Sequence, residues 1–198
     1  MNPPDSAGNR VIDAIGQRRA VREYSAQPVD DETLRTLLHA AVRAPTAMHR
    51  EPWQFVVLRD RDTRAVVTAR AKALLDASAD QRHDPALAHL YAAFTAPGFD
   101  IFYGAPALIV IGSSERGEFV AADCWLAAEN LMLAATSLGL GSCVIGLAVG
   151  ALNDPQIRRA VGIPDDFVAI APIIVGYPAA GTPAMATPRR EPVVVTWR

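Results

Sequence analysis

Arg18, Arg19 and Arg22 place three guanidinium groups within five residues, at the end of an amphipathic helical pattern. Arginine holds phosphate through a planar fork of donors, often in pairs. The stretch can therefore be a phosphate clamp. It can also be the solvated basic end of a helix, where cations favour the dipole. Other chemistries find less support. His83 and His89 lie six apart, and Cys124 and Cys143 are far from any zinc-binding histidine spacing, so no metal is expected. The sequence has no GxSxG elbow and no GxxxxGK[ST] loop. Gly139 and Gly141 follow a helical pattern and not a strand, and a third glycine is misplaced for a dinucleotide fingerprint. Asp30, Asp31 and Glu32 suit a helix start better than an acid/base pair. No side-chain catalytic residue is assigned.

Composition bounds the rest. The chain has 198 residues, 51% hydrophobic and 20% charged, which fits one folded domain over residues 1–198. A net charge of −2 gives no reason to expect nucleic acid or an anionic membrane as partner. The two cysteines are isolated, and reduced thiols in a cytoplasmic protein are the expectation. The first residues carry no apolar signal core, and the apolar stretch at 167–177 is broken by Pro172 and too short to span a bilayer.

The elements that must position the arginines follow from periodicity. Val11, Ile12 and Ile15 mark a helix over 9–19. After a turn, Asp30 is a good N-cap for a helix with Leu34, Leu37, Leu38, Ala41 and Val42 on one face, stopped by Pro45. A loop at 45–52 leads to a strand at 53–59, then a helix at 62–78. Residues 80–103 hold His83, His89, Tyr91, Phe94, Phe99 and Phe102. They read as a helix at 85–95 and an aromatic loop, which would serve as a lid or as core packing. Residues 106–112 form a continuous apolar run suited to a central strand. The helix at 118–138, roughly 30 Å long, has so few polar residues that a partner subunit is expected against it. Residues 139–142 end that helix, and 143–146 run extended. A short helix at 154–161 closes at Gly162, and 167–176 is a second buried strand. The tail, 179–192, lacks pattern but ends in a strand signal at 193–197, an arm able to reach another subunit.

Four pieces together resemble a known family. Arg18-Arg19-Ala20-Val21-Arg22-Glu23-Tyr24 is similar to the R-R-S-x-R-x-[FY] opening of FMN-dependent nitroreductases. Ala44-Pro45-Thr46-Ala47-Met48-His49-Arg50-Glu51-Pro52-Trp53-Gln54-Phe55 resembles their A-P-S-x-x-N-x-Q-P-W-x-F segment. Residues 127–135 and 139–146 are similar to their long helix and the turn after it. Gly162-Ile163-Pro164 and Gly176-Tyr177-Pro178 match their closing motifs. The resemblance spans about residues 11–197.

It implies an α+β fold with a central, mainly antiparallel sheet flanked by helices. It also implies an intertwined homodimer whose C-terminal arm, about 179–198, reaches the partner. The implied cofactor is FMN, with NAD(P)H as co-substrate. By the same resemblance, Arg18, Arg19 and Arg22 hold the FMN phosphate and the polar flavin edge, beside Ala20 at the usual serine position. Arg189 and Arg190 complete the phosphate grip. Pro45, Thr46, Ala47 and His49 reach the flavin from the other subunit, and Val144, Ile145 and Gly146 form the turn facing flavin N5. The implied activity is ping-pong hydride transfer from NAD(P)H to a small-molecule acceptor such as a nitroaromatic or quinone. The alternatives are dehalogenation, ene reduction or flavin breakdown on the same fold, or FMN binding without turnover. Three departures stand out: Ala20 replaces the family's serine, His49 its asparagine and Glu51 its glutamine.

Overall fold

The computed structural model describes residues 10–78, 91–182 and 189–198. Helix α1 (Arg10–Gln17) buries Ala14, while Val11, Ile12 and Ile15, the residues that signalled the helix, face outward. Asp30 caps α2 (Asp31–Ala41) by accepting from the Thr33 amide at 2.7 Å, and α2 turns Leu34, Leu37 and Ala41 inward. Strand β1 (Gln54–Leu58) precedes α3 (Arg61–Ala77), which Asp60 caps in the same way through Thr63. Residues 91–95 are helical; the rest of the expected helix at 85–95, with His83 and His89, lies outside the described residues.

Strand β2 (Ala107–Ser113) is buried at every position. It is followed by α4 (Val120–Ser137), β3 (Gly141–Val144), the short helices α5 (Ala148–Leu152) and α6 (Pro155–Val161), and β4 (Val168–Gly176). Gly162 ends α6 in the left-handed conformation, φ 75°. Among the described residues the strands form one antiparallel sheet in the order β1-β2-β4-β3.

Helices cover both sheet faces, which explains why β2 reads as a continuous apolar run although its pairings are antiparallel. On one face α2 and α4 pack on Ile109, Ile111, Ile173 and Val175. On the other, α3, α5 and α6 pack on Leu108, Val110 and Ile174. Each such side chain contributes roughly 1.5–3 kcal/mol by leaving water.

The extended segment expected at 143–146 lies two residues earlier, because Gly141 and Ser142 already pair with Gly176 and Val175. Helix α5 was not expected. The strand signal at 193–197 finds no partner strand among the described residues, and Val193, Val195 and Trp197 lie exposed. No helix among the described residues is long and apolar enough to cross a membrane.

Candidate functional site

The sheet order leaves β3 at an edge. That edge is lined by the arginine stretch. Ala20 bridges Ser142 in parallel, and the Val21 amide donates to the Ser142 carbonyl at 3.0 Å. The approach is close enough that a Cβ at Gly141 would sit 2.6 Å from Val21 Cβ. Further along, the Ser25 amide donates to the Tyr177 carbonyl at 2.9 Å, and the Ala179 amide to the Glu23 carbonyl at 3.0 Å. The Tyr24 hydroxyl donates back to the Val21 carbonyl at 2.7 Å. The ribbon is thus held at both ends, and this fixes where its arginines start.

Each arginine has a distinct neighbour. Arg18 Nε lies 3.5 Å from Glu129 Oε1 on α4. Arg19 donates to the Thr182 carbonyl at 3.5 Å. Arg22 stands over the Tyr103 ring, 5.9 Å from its centroid, a cation–π distance. Tyr103 itself takes φ 54°, unusual for a bulky residue. Asp100 holds that turn, accepting from the Phe102 and Gly104 amides at 2.9 Å each. Burial pushes the Tyr103 phenol above its ordinary value, and the Arg22 charge opposes the shift. Burial likewise raises the Cys143 thiol against Arg22 and Arg18. Tyr24 is raised far more, chiefly by burial. None of the three is poised to ionise near neutral pH.

The turn after β3 brings a free donor to the same edge. The Ile145 amide donates to the Pro172 carbonyl at 2.9 Å, and the Ile145 and Gly146 carbonyls accept from Ala148 and Val149. The Gly146 amide has no acceptor among the described residues, and a Cβ there would meet only open space. Four residues earlier on β3, the Ser142 hydroxyl is buried with no hydrogen-bond partner. An orphaned buried hydroxyl costs about 1–3 kcal/mol. Val144 is half-buried and Ile145 buried.

Pro45, Thr46, Ala47 and His49 do not join this group within one chain. Their loop sits on the first turn of α4, where the Ala47 amide donates to buried Asp123 Oδ1 at 3.2 Å. Arg18 meets α4 six residues further on, roughly 9 Å along the axis. The loop is strained: Met48, His49 and Glu51 take φ of 56°, 52° and 49°. Thr46 Oγ1 accepts from the Glu51 amide at 3.4 Å, and Arg50 pairs with Glu115 at 2.6 Å. Arg189 and Arg190 are exposed, away from any contact with the ribbon among the described residues.

The profile of the Nitroreductase family matches residues 15–177, most of the chain. The chain belongs to that family. An NADH dehydrogenase from Thermus thermophilus is 30% identical over 92% of this chain and 93% of its own length. A nitrobenzene nitroreductase from Ectopseudomonas oleovorans is 28% identical over 84% of this chain and 86% of its own. A solved nitroreductase with bound FMN from Bacteroides fragilis is 28% identical, superimposes with a TM-score of 0.74, and is covered over 96% of its chain and 94% of this one.

Within this nitroreductase-family chain, three neighbours of the arginines were not singled out by sequence reading. Ser142 was visible only as the end of a glycine turn. Glu129 was one polar residue on an apolar helix. Tyr103 carried the signal of a residue before Gly104, Ala105 and Pro106, where a turn is expected. Their roles depend on long-range pairing of the ribbon with β3, which local pattern does not encode. The bond from the Ala47 amide to Asp123 on α4 likewise joins residues far apart in the sequence.

Proposed function

We propose that this chain is an FMN-dependent oxidoreductase that takes reducing equivalents from NAD(P)H and passes them to small nitroaromatic, quinone or related acceptors. One observation carries the reading. The arginine ribbon, the orphaned Ser142 hydroxyl and the free Gly146 amide converge on one sheet edge, giving cations for a phosphate and neutral donors for a heterocycle.

FMN fits this donor set, and when bound it supplies the hydride-accepting and hydride-donating centre. Arg18 and Arg19 would hold its phosphate, with Arg189 and Arg190 joining from the tail. Arg22, kept in place by Tyr103, would lie at the polar edge of the ring and stabilise negative charge there. The Gly146 amide would direct a donor at the reacting face, a role indifferent to side-chain identity. No titrating side chain is needed, in keeping with the raised Tyr103, Tyr24 and Cys143 values. The two substrates would use one binding face in turn.

The same reading makes the active form a homodimer. The loop at 45–49 stands apart from the ribbon of its own chain. Apolar surface lies open at Val11, Ile12 and Ile15 on α1 and at Trp125 and Leu126 on α4. A second copy covering these faces would bring its Pro45, Thr46, Ala47 and His49 to the first copy's ribbon. Purification followed by an absorbance spectrum and NAD(P)H-oxidation assays with nitrobenzene and a benzoquinone tests the proposal. A yellow protein that oxidises NAD(P)H is expected; a colourless protein that cannot be loaded with FMN overturns it.

A further inference from the structure

A second cavity is lined by no residue assigned to the flavin. It has a volume of about 780 Å³ and sits between α3, the turn at 98–104 and the ribbon at 24–26. That size suits a small-molecule ligand. From α3 it receives Arg61, Arg64, Thr68 and Lys72, spaced three, four and four residues apart, so one helix face carries them all.

Arg64 is the decisive residue. It is only 8% exposed, and its Nη1 donates to the Leu58 and Pro106 carbonyls at 3.3 Å each. Its remaining donors have no acceptor among the described residues, and Arg64 lines the cavity. Neither Arg61 nor Arg64 forms an ion pair among the described residues. Two carboxylates stand near Arg64, Asp100 on the cavity wall itself, and both already accept hydrogen bonds. Asp100 accepts from Thr68 Oγ1 at 3.3 Å and from the Phe102 and Gly104 amides, and Asp60 accepts from Thr63. Burial lowers the Arg64 guanidinium below its ordinary value, only partly countered by Asp100 and Asp60 and worsened by Arg61. A further negative charge would relieve that cost.

The rest of the wall is mixed, with Tyr24, Ser25 and Asp100 among an otherwise apolar lining. Ala65 and Ala69 form the helix side between the charged ends, with Ala26 and the Phe99 ring opposite. Lys72 closes the far end, donating to the Ala96 carbonyl at 2.8 Å with Nζ 5.9 Å from the Phe99 centroid. Two arginines one helical turn apart match a phosphate better than a single carboxylate.

We infer that this cavity is a second ligand site, for a small phosphate monoester with a ring-sized apolar body. Its phosphate lies between Arg61 and Arg64 and its body runs toward Phe99. The site is independent of the flavin reading, since none of its lining residues is assigned to FMN.

The test is a calorimetric titration of the full chain with phenyl phosphate. The chain is first saturated with FMN, so that the arginine ribbon is already occupied; a chain that takes up no FMN is titrated as purified. Saturable binding to one site per chain is expected, with benzoate weaker. Arg61→Gln, an exposed change that leaves the fold intact, should weaken phenyl phosphate about tenfold or more. Arg64→Met should do the same wherever it folds, and Phe99→Ala should weaken phenyl phosphate but not inorganic phosphate. Absence of saturable binding, benzoate binding as tightly as phenyl phosphate, or an unchanged affinity in Arg61→Gln overturns the inference.

Discussion

Gly141→Ala is the sharpest perturbation of the ribbon. A Cβ at Gly141 would meet Val21 Cβ at 2.6 Å and both Val21 Cγ atoms at 2.7 Å. Carbon atoms rest at roughly 3.5–4.0 Å, so the ribbon must retreat by about 1 Å. Val21 is 4% exposed and branched at the clashing atom, so no side-chain rotation relieves the contact. Retreat stretches the Val21 N–H bond to the Ser142 carbonyl, now 3.0 Å. Overpacking costs typically about 1–3 kcal/mol, and a lost hydrogen bond adds about 0.5–1.5 kcal/mol. Where the ribbon detaches locally, the cost falls on flavin binding. Together these come to about 1.5–4.5 kcal/mol, and at 1.4 kcal/mol per decade FMN affinity should fall between about tenfold and about a thousandfold. The assay is fluorescence titration of apoprotein with FMN, beside a urea melt. Leu37→Ala is the control: Leu37 is fully buried on the inner face of α2, and its truncation should cost about 2–5 kcal/mol of stability with FMN affinity intact in the folded protein. FMN affinity of Gly141→Ala equal to that of the parent would refute the placement of the cofactor on this edge.

Other expectations follow from the same geometry. Asp123→Ala removes the acceptor of the Ala47 amide and should speed hydrogen exchange at Ala47 while slowing turnover, with exchange on α2 unchanged. Cys124 is pushed up to about 11 by burial and by neighbouring Asp123, and Cys143 is also raised by burial, so at pH 8 iodoacetamide should label both only after denaturation. Hydrogen bonds from Thr33, Thr63 and Gln156 hold the Asp30, Asp60 and Asp154 carboxyls below their ordinary value. Groups lowered on folding stabilise above their unfolded pKa, so urea midpoints should decline as pH falls below about 4. Asp60→Asn, which keeps a capping oxygen, should flatten that decline.

The sequence disclosed those parts of the fold whose cause is local. Asp30 before an apolar-periodic segment marked the start of α2, and Gly162 marked the end of α6. The unbroken apolar run of β2 marked a strand covered on both faces. Family resemblance then brought the arginine stretch, the loop at 45–49 and the turn at 144–146 into one expected site. What stayed hidden depends on distant pairing. The two-residue offset of β3 comes from its register with β4. Tyr103 becomes a platform for Arg22 only because Asp100 holds a left-handed turn. Val11, Ile12 and Ile15 look like core residues by spacing, yet within one chain α1 buries Ala14 and turns them outward. Their helical period was legible; the surface that would cover them was not.

Anaerobic titration of the FMN-loaded protein with NADH and with NADPH tests the central claim most directly. At least one nicotinamide should bleach the flavin absorbance stoichiometrically, and nitrobenzene or a benzoquinone should then restore it. Arg22→Ala should bind FMN more weakly and reduce it more slowly. A loaded flavin that neither nicotinamide bleaches would contradict the proposed reaction.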